Sequence, residues 1–99
     1  MAYQIEFAEL VKAHLGVLTA GQRSRVLHAI ERQLTNEPSK ETRNRKPLRP
    51  NPVAPWELRS GELRVFYEVS EGPPSLVRIL AVGVKVRQTL RIGGEEIKL

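Results

Sequence analysis

The sequence predicts an α+β fold: a two-helix hairpin packed on one face of a small, twisted, mainly antiparallel sheet. Three patterns carry the prediction. Residues 7–35 hold apolar side chains at three- and four-residue spacing, residues 56–69 alternate with a period of two about Ser60-Gly61-Glu62, and Leu76 to Val84 is apolar on both faces except at Arg78. The first pattern is helical, the second a half-buried hairpin, the third a central strand. Packing the helix stripes against the apolar face of the hairpin is the layer arrangement open to a chain of this length.

Each element follows in order. Tyr3, Ile5 and Phe7 alternate with Gln4 and Glu6 as a short strand, and Phe7, Leu10, Val11, His14, Leu15 and Leu18 then form a helical stripe interrupted near Gly16. His14 at its edge reads as a partly buried helix histidine, with no second ligand or carboxylate near it in sequence. Thr19 with Gln22 three positions on is a capping-box signature, so a second helix runs from about Ala20 to Thr35, buries Val26, Leu27, Ile30 and Leu34, and ends at Asn36 and Pro38. Arg23, Arg25, Arg32 and Gln33 take its other side. Residues 37–55 hold five prolines and no apolar periodicity, which makes a long basic loop, either solvated or held extended against the sheet edge as a rim.

In the hairpin, Trp56, Leu58, Leu63, Val65, Tyr67 and Val69 face the core, leaving Glu57, Arg59, Arg64 and Glu68 around Phe66 on an open face. In the last long strand Gly83 allows close backbone approach. Alternation puts Lys85 on the side of Ile79, Ala81 and Gly83, either beside Arg64 or as a strand-end lysine that reaches to solvent. Gly93-Gly94 tolerates positive φ twice, so residues 88–99 form a terminal hairpin with Arg91 opposite Glu96, as an ion pair, and Leu90 opposite Ile97.

Ninety-nine residues make a single domain, 1–99, whose core has no room for an internal pocket, so chemistry belongs on the surface. Without cysteine there is no disulfide or thiolate site, and two histidines far apart argue against a metal; no cofactor is expected. The start has no signal-peptide pattern and no apolar run approaches the roughly 18 residues of a membrane span, so a cytoplasmic protein is expected. Sixteen Lys and Arg against eleven Asp and Glu give a net charge of +5, which fits a polyanion-binding surface or simple solubility. The distribution is uneven, with one run at Arg43, Arg45, Lys46 and Arg49 and another at Arg78, Lys85, Arg87 and Arg91.

The order strand, helix, helix, loop and three strands, together with Trp56-Glu57-Leu58-Arg59, Lys46-Pro47-Leu48, Leu63-Arg64-Val65-Phe66-Tyr67 and Ile79 to Arg87, resembles the RelE/ParE superfamily of bacterial toxins over residues 3–91. The resemblance implies helices on one face of the sheet, a working surface on the other, and an operon-encoded antitoxin that wraps the chain. It also implies one of two activities, cleavage of messenger RNA on the ribosome or inhibition of DNA gyrase; a decayed toxin kept as a binding subunit is a third outcome. RNA cleavage needs a cation for charge growing on the phosphate and groups to move protons. Arg64 matches the family's phosphate-stabilising arginine, and Lys85 a basic residue that assists near the leaving group, with Arg87 a second basic residue in that segment. Lys46 and Arg49, with Arg43, Arg45, Arg59 and Arg91, are then expected to hold RNA backbone. The chain departs from the family where Arg91 replaces a catalytic tyrosine, where Glu57 replaces a strand lysine, and where Lys46 stands in place of one branch's loop carboxylate. Glu57 beside Arg59 and Arg64 is a candidate base or, more economically, half of a structural ion pair.

Overall fold

The strand on which the sheet is built is β5 (Leu76–Val86), eleven residues long. The computed structural model describes residues 2–99. Ahead of β5 come β1 (Gln4–Phe7), α1 (Val11–Gly16), α2 (Ala20–Leu34), β2 (Arg45–Pro47), β3 (Trp56–Ser60) and β4 (Leu63–Ser70), and β6 (Thr89–Ile92) and β7 (Glu95–Ile97) follow. Across the sheet the order is β2-β3-β4-β5-β6-β7, with antiparallel neighbours throughout. β1 joins β5 in parallel, so the α+β class holds with a mainly antiparallel sheet.

The far edge of β5 is shared. β1 pairs with Leu76 to Ile79 and β6 with Gly83 to Val86. A side chain serves the gap between them, where the Val82 N–H donates to His14 Nδ1 at 3.3 Å. The histidine expected on the edge of a helical stripe thus completes a strand edge, since an unpaired buried N–H is costly.

α2 starts as its capping box predicts, with Thr19 Oγ1 accepting from Gln22 N and Gln22 Oε1 accepting from Thr19 N. Its Val26, Ala29, Ile30 and Leu34 pack on Leu58, Leu63, Val65, Tyr67, Val77, Ile79 and Val82. Trp56 stacks on Tyr67 with ring centroids 6.0 Å apart, and the buried Tyr67 hydroxyl donates to the Pro38 carbonyl at 2.8 Å. Burial raises its pKa well above that of free tyrosine. α1 starts only at Val11, and Phe7, read in the sequence both as strand and as helical stripe, is the last residue of β1, opposite Ile79. Phe7 and Leu10 are 44% and 70% exposed, and Leu27 of α2 also faces outward. Arg23 Nη1 donates to the Leu15 and Leu18 carbonyls and so caps the chain leaving α1.

Residues 37–55 are ordered rather than structureless. They contain β2, which forms the sheet edge against β3 with Lys46 opposite Glu57. Asn51 folds the segment after it, donating from Nδ2 to the Arg49 and Ala54 carbonyls and accepting at Oδ1 from Val53 N and Ala54 N. A three-residue strand ending in proline has too little alternation to read from sequence.

Two expectations are corrected on the face away from the helices. Phe66 is buried in a second apolar cluster with Ala54, Ala81, Leu90 and Ile92, ringed by Leu48, Val53, Leu80 and Ile97, so the proline loop and the terminal hairpin cover part of the surface expected to be open. Simple alternation also fails in β5. The partner of Phe66 is Ala81 and that of Tyr67 is Ile79, so Leu80 is an extra residue in a bulge; Ile79 packs under the helices while Ala81 lies across the sheet. In the terminal hairpin Gly93 and Gly94 have φ of 61° and 84°, and Leu90 opposes Ile97 and Arg91 opposes Glu96 as expected. Arg91 and Glu96 nevertheless do not form an ion pair.

Candidate functional site

The register of four strands assembles the site. One row reads Arg59, Arg64, Gly83, Ile92 and the next Lys46, Glu57, Phe66, Ala81, each residue directly opposite its neighbour. Paired residues share a face, and Lys85 is two positions beyond Gly83 on the same side. Lys46, Glu57, Arg59, Arg64 and Lys85 therefore share the face away from α1 and α2, with Lys46 and Lys85 at its opposite corners. Gly83 is required at the centre: a Cβ there would fall 2.5 Å from the Arg91 carbonyl oxygen of β6. The space a side chain would take at Gly83 is filled by the Arg91 carbonyl and the Ile92 side chain of β6.

Arg64 is half-buried and fixed. Its Nη1 donates to the Gly61 and Leu63 carbonyls at 2.7 and 2.8 Å. Its Nε is buried with no hydrogen-bond partner among the described residues. Desolvation lowers its pKa, against the pull of the nearby Glu57 carboxylate and with a smaller push from Arg59, but an arginine remains charged through this range. Glu57 is 5% exposed and its Oε1 accepts from Arg59 Nε at 2.7 Å. A carboxylate so shielded and so engaged holds Arg59 in place beside Arg64. As a candidate base it is badly placed, and the ion-pair reading of the sequence is the one its surroundings favour.

The remaining candidates divide. Lys85 stands on the Arg64 face, its backbone N–H donating to the Glu62 carbonyl. Arg43 and Arg49 are exposed in the loop flanking β2. Arg45 does not belong to an RNA-binding rim: it is 8% exposed, and its guanidinium donates to the Lys40 and Gln33 carbonyls, stapling the loop to the end of α2. Arg87 sits in the turn between β5 and β6 with φ 59°, outside the two rows. Arg91 pairs with Val84, whose side chain packs toward the helices, so it lies across the sheet from Arg64 beside Val17, Leu18 and Gly94.

Sequence reading missed the tie between α2 and the β3–β4 turn. Arg25 Nη1 and Nη2 donate to Glu62 Oε2 and Oε1 at 3.1 and 2.7 Å, and this bidentate bond, with smaller help from a backbone donor and Gln22, holds the Glu62 carboxyl at about 2. Nothing local signals a partner 37 residues away. Asn51 did carry a signal, since an asparagine between two prolines is a common turn former.

The fold and site define a small α+β protein with a basic sheet face opposite its helices. Among the described residues no group of three or more His, Asp or Glu could hold a metal ion, and no helix is long and apolar enough to cross a membrane. Comparison with models of known protein families gives no match, and comparison with curated proteins gives none either.

Proposed function

We propose that the chain is a RelE/ParE-type toxin of the bacterial cytoplasm, neutralised by a cognate antitoxin, and that it cuts messenger RNA on the ribosome. The observation that carries this reading is that strand register places Arg64, Lys85, Arg59 and Lys46, from four separate strands, on one face of the sheet. Two backbone carbonyls hold one end of the Arg64 guanidinium, so its free Nη2 is preorganised for a phosphate oxygen. When the neighbouring 2′-hydroxyl attacks the phosphorus, charge grows on that phosphate, and a fixed cation stabilises it more than it stabilises the ground state. Lys85, next along the same face, donates a proton to the departing 5′-oxygen. Lys46 and Arg59 hold flanking phosphates. With Glu57 engaged by Arg59, the attacking hydroxyl loses its proton to water while the ribosome aligns the message.

Single-turnover cleavage of a programmed message on purified ribosomes tests this. Arg64→Ala lowers the rate by roughly two to three orders of magnitude with ribosome binding and circular dichroism preserved. Lys85→Ala acts in the same direction. A wild-type protein that leaves every message intact yet blocks gyrase supercoiling would falsify the endonuclease reading and make Arg64 a contact residue of an inhibitor.

A further inference from the structure

α2 carries charge that the Arg64 site does not use. Arg25, His28 and Arg32 fall three and four residues apart, so they form one stripe along the helix. With Ser24, Gln33 and Ser60 they line an open groove of about 460 Å³ between α2 and the end of β3. Its lining contains no carboxylate, and its one apolar side chain is Ala29. His28 and Arg32 are exposed and make no ion pair among the described residues. Arg25 is positioned by Glu62, which grips it from the β3–β4 turn.

One chain neighbour links the groove to the other face. Ser60, the last residue of β3, lines it, and the preceding Arg59 stands in the row of Arg64 on the far side of the sheet, 44% exposed. A strand bound along the Arg64 face therefore reaches the groove by passing around the end of β3. Arg32 is seven positions on from Arg25, about 10 Å of helix, which is enough length for more than one phosphate. Guanidinium forks and serine hydroxyls are the donors that hold phosphates without reading bases. A docked protein segment would want an aromatic or aliphatic anchor pocket, and the groove has none.

We infer that the α2 groove is a second binding site for the phosphodiester backbone of RNA. The inference extends the RNA reading above by assigning the track that the chain takes beyond the Arg64 face. Arg32 supplies the principal contact, with His28, Ser24 and Ser60 around it.

The test is binding of a labelled single-stranded RNA oligonucleotide and of purified ribosomes across a salt series. The variant joins Arg32→Gln to His28→Gln, two exposed positions with no ion-pair partner among the described residues, and Lys12→Gln, an exposed lysine on α1, serves as a charge control. The double variant weakens RNA binding roughly five- to tenfold at low salt and makes the salt dependence shallower by about 0.7 for each phosphate that is no longer neutralised, whereas the control leaves the slope as in wild type. Equal slopes in wild type and double variant overturn the inference, as does a double variant that keeps RNA affinity but loses binding to polyglutamate, which would mark an acidic protein partner. A wild-type chain that never cuts a message, with RNA affinity that still falls in the double variant, sinks the endonuclease reading and leaves the groove standing.

Discussion

The two faces of the sheet solve different problems. Under the helices, thirteen buried residues from α1, α2, β3, β4, β5 and the turn before α2 make one continuous core. Across the sheet five buried residues make a small cluster that loops and the terminal hairpin cover, and charged side chains begin one row away. β4 and β5 contribute to both, because alternation sends successive residues to opposite faces. The large core fixes strand register, and register is what brings Arg64, Lys85, Arg59 and Lys46 together. The small cluster leaves that constellation open while anchoring the segments around it. The main core and the charged face are thereby separated by the thickness of one sheet.

Matched deletions sharpen this contrast most. Ile79→Ala, fully buried beneath the helices, should destabilise the whole domain by about 2–5 kcal/mol. Ile92→Ala, at the rim of the small cluster, should cost roughly 1–2 kcal/mol, because a site near solvent collapses more easily. Chemical denaturation measures both, and hydrogen exchange should report loss of protection confined to β6 and β7 for Ile92→Ala. Equal costs would mean that the two clusters are a single cooperative core.

Tyr67→Phe probes how firmly the proline loop is tied to the large core. The Pro38 carbonyl would keep its burial and lose its donor, at a cost of about 1–3 kcal/mol. A neutral change in denaturation midpoint would show that the hydroxyl bond is dispensable.

At the edge shared by β1 and β6, His14 adds a pH dependence. Burial lowers its pKa in the folded state, so the unfolded chain takes up the proton first as pH falls. Its contribution is complete above the ordinary histidine value of about 6.5 and is lost as pH drops below it. Unfolding curves at pH 8, 7, 6 and 5 should show this slope, and His14→Gln, which keeps an acceptor for the Val82 N–H without titrating, should flatten it.

The smallest effect is at the Arg25–Glu62 tie. With the Glu62 carboxyl held at about 2, its contribution is present above the normal carboxylate range and disappears as pH falls toward 2. Both side chains are more than a third exposed, so solvent and salt weaken the pair. Arg25→Gln should reduce the acid sensitivity of the domain slightly at low salt and leave it unchanged at 1 M salt, compared by thermal melts.

Local pattern was sufficient for everything that depends on neighbours in the chain. The capping box at Thr19, the hairpin at residues 56–69, the Gly93-Gly94 turn with its register, and the sharing of one face by Arg59 and Arg64 follow from spacings of two, three and four residues, which backbone geometry converts directly into faces and turns. Only the tertiary structure decided the rest, because those features turn on contacts between distant segments. The bulge at Leu80 sends Ile79 and Ala81 to different sides, pairing with β5 selects the strand reading of Phe7 over the helical one, and the fold buries Arg45 against carbonyls of α2 and of its own loop. The loop and terminal hairpin close over Phe66, and Arg91 ends across the sheet from Arg64. A charged residue looks alike in sequence whether it meets solvent, a carboxylate or a carbonyl; what surrounds it is set by segments tens of residues away, and that difference separates Arg64 from Arg45.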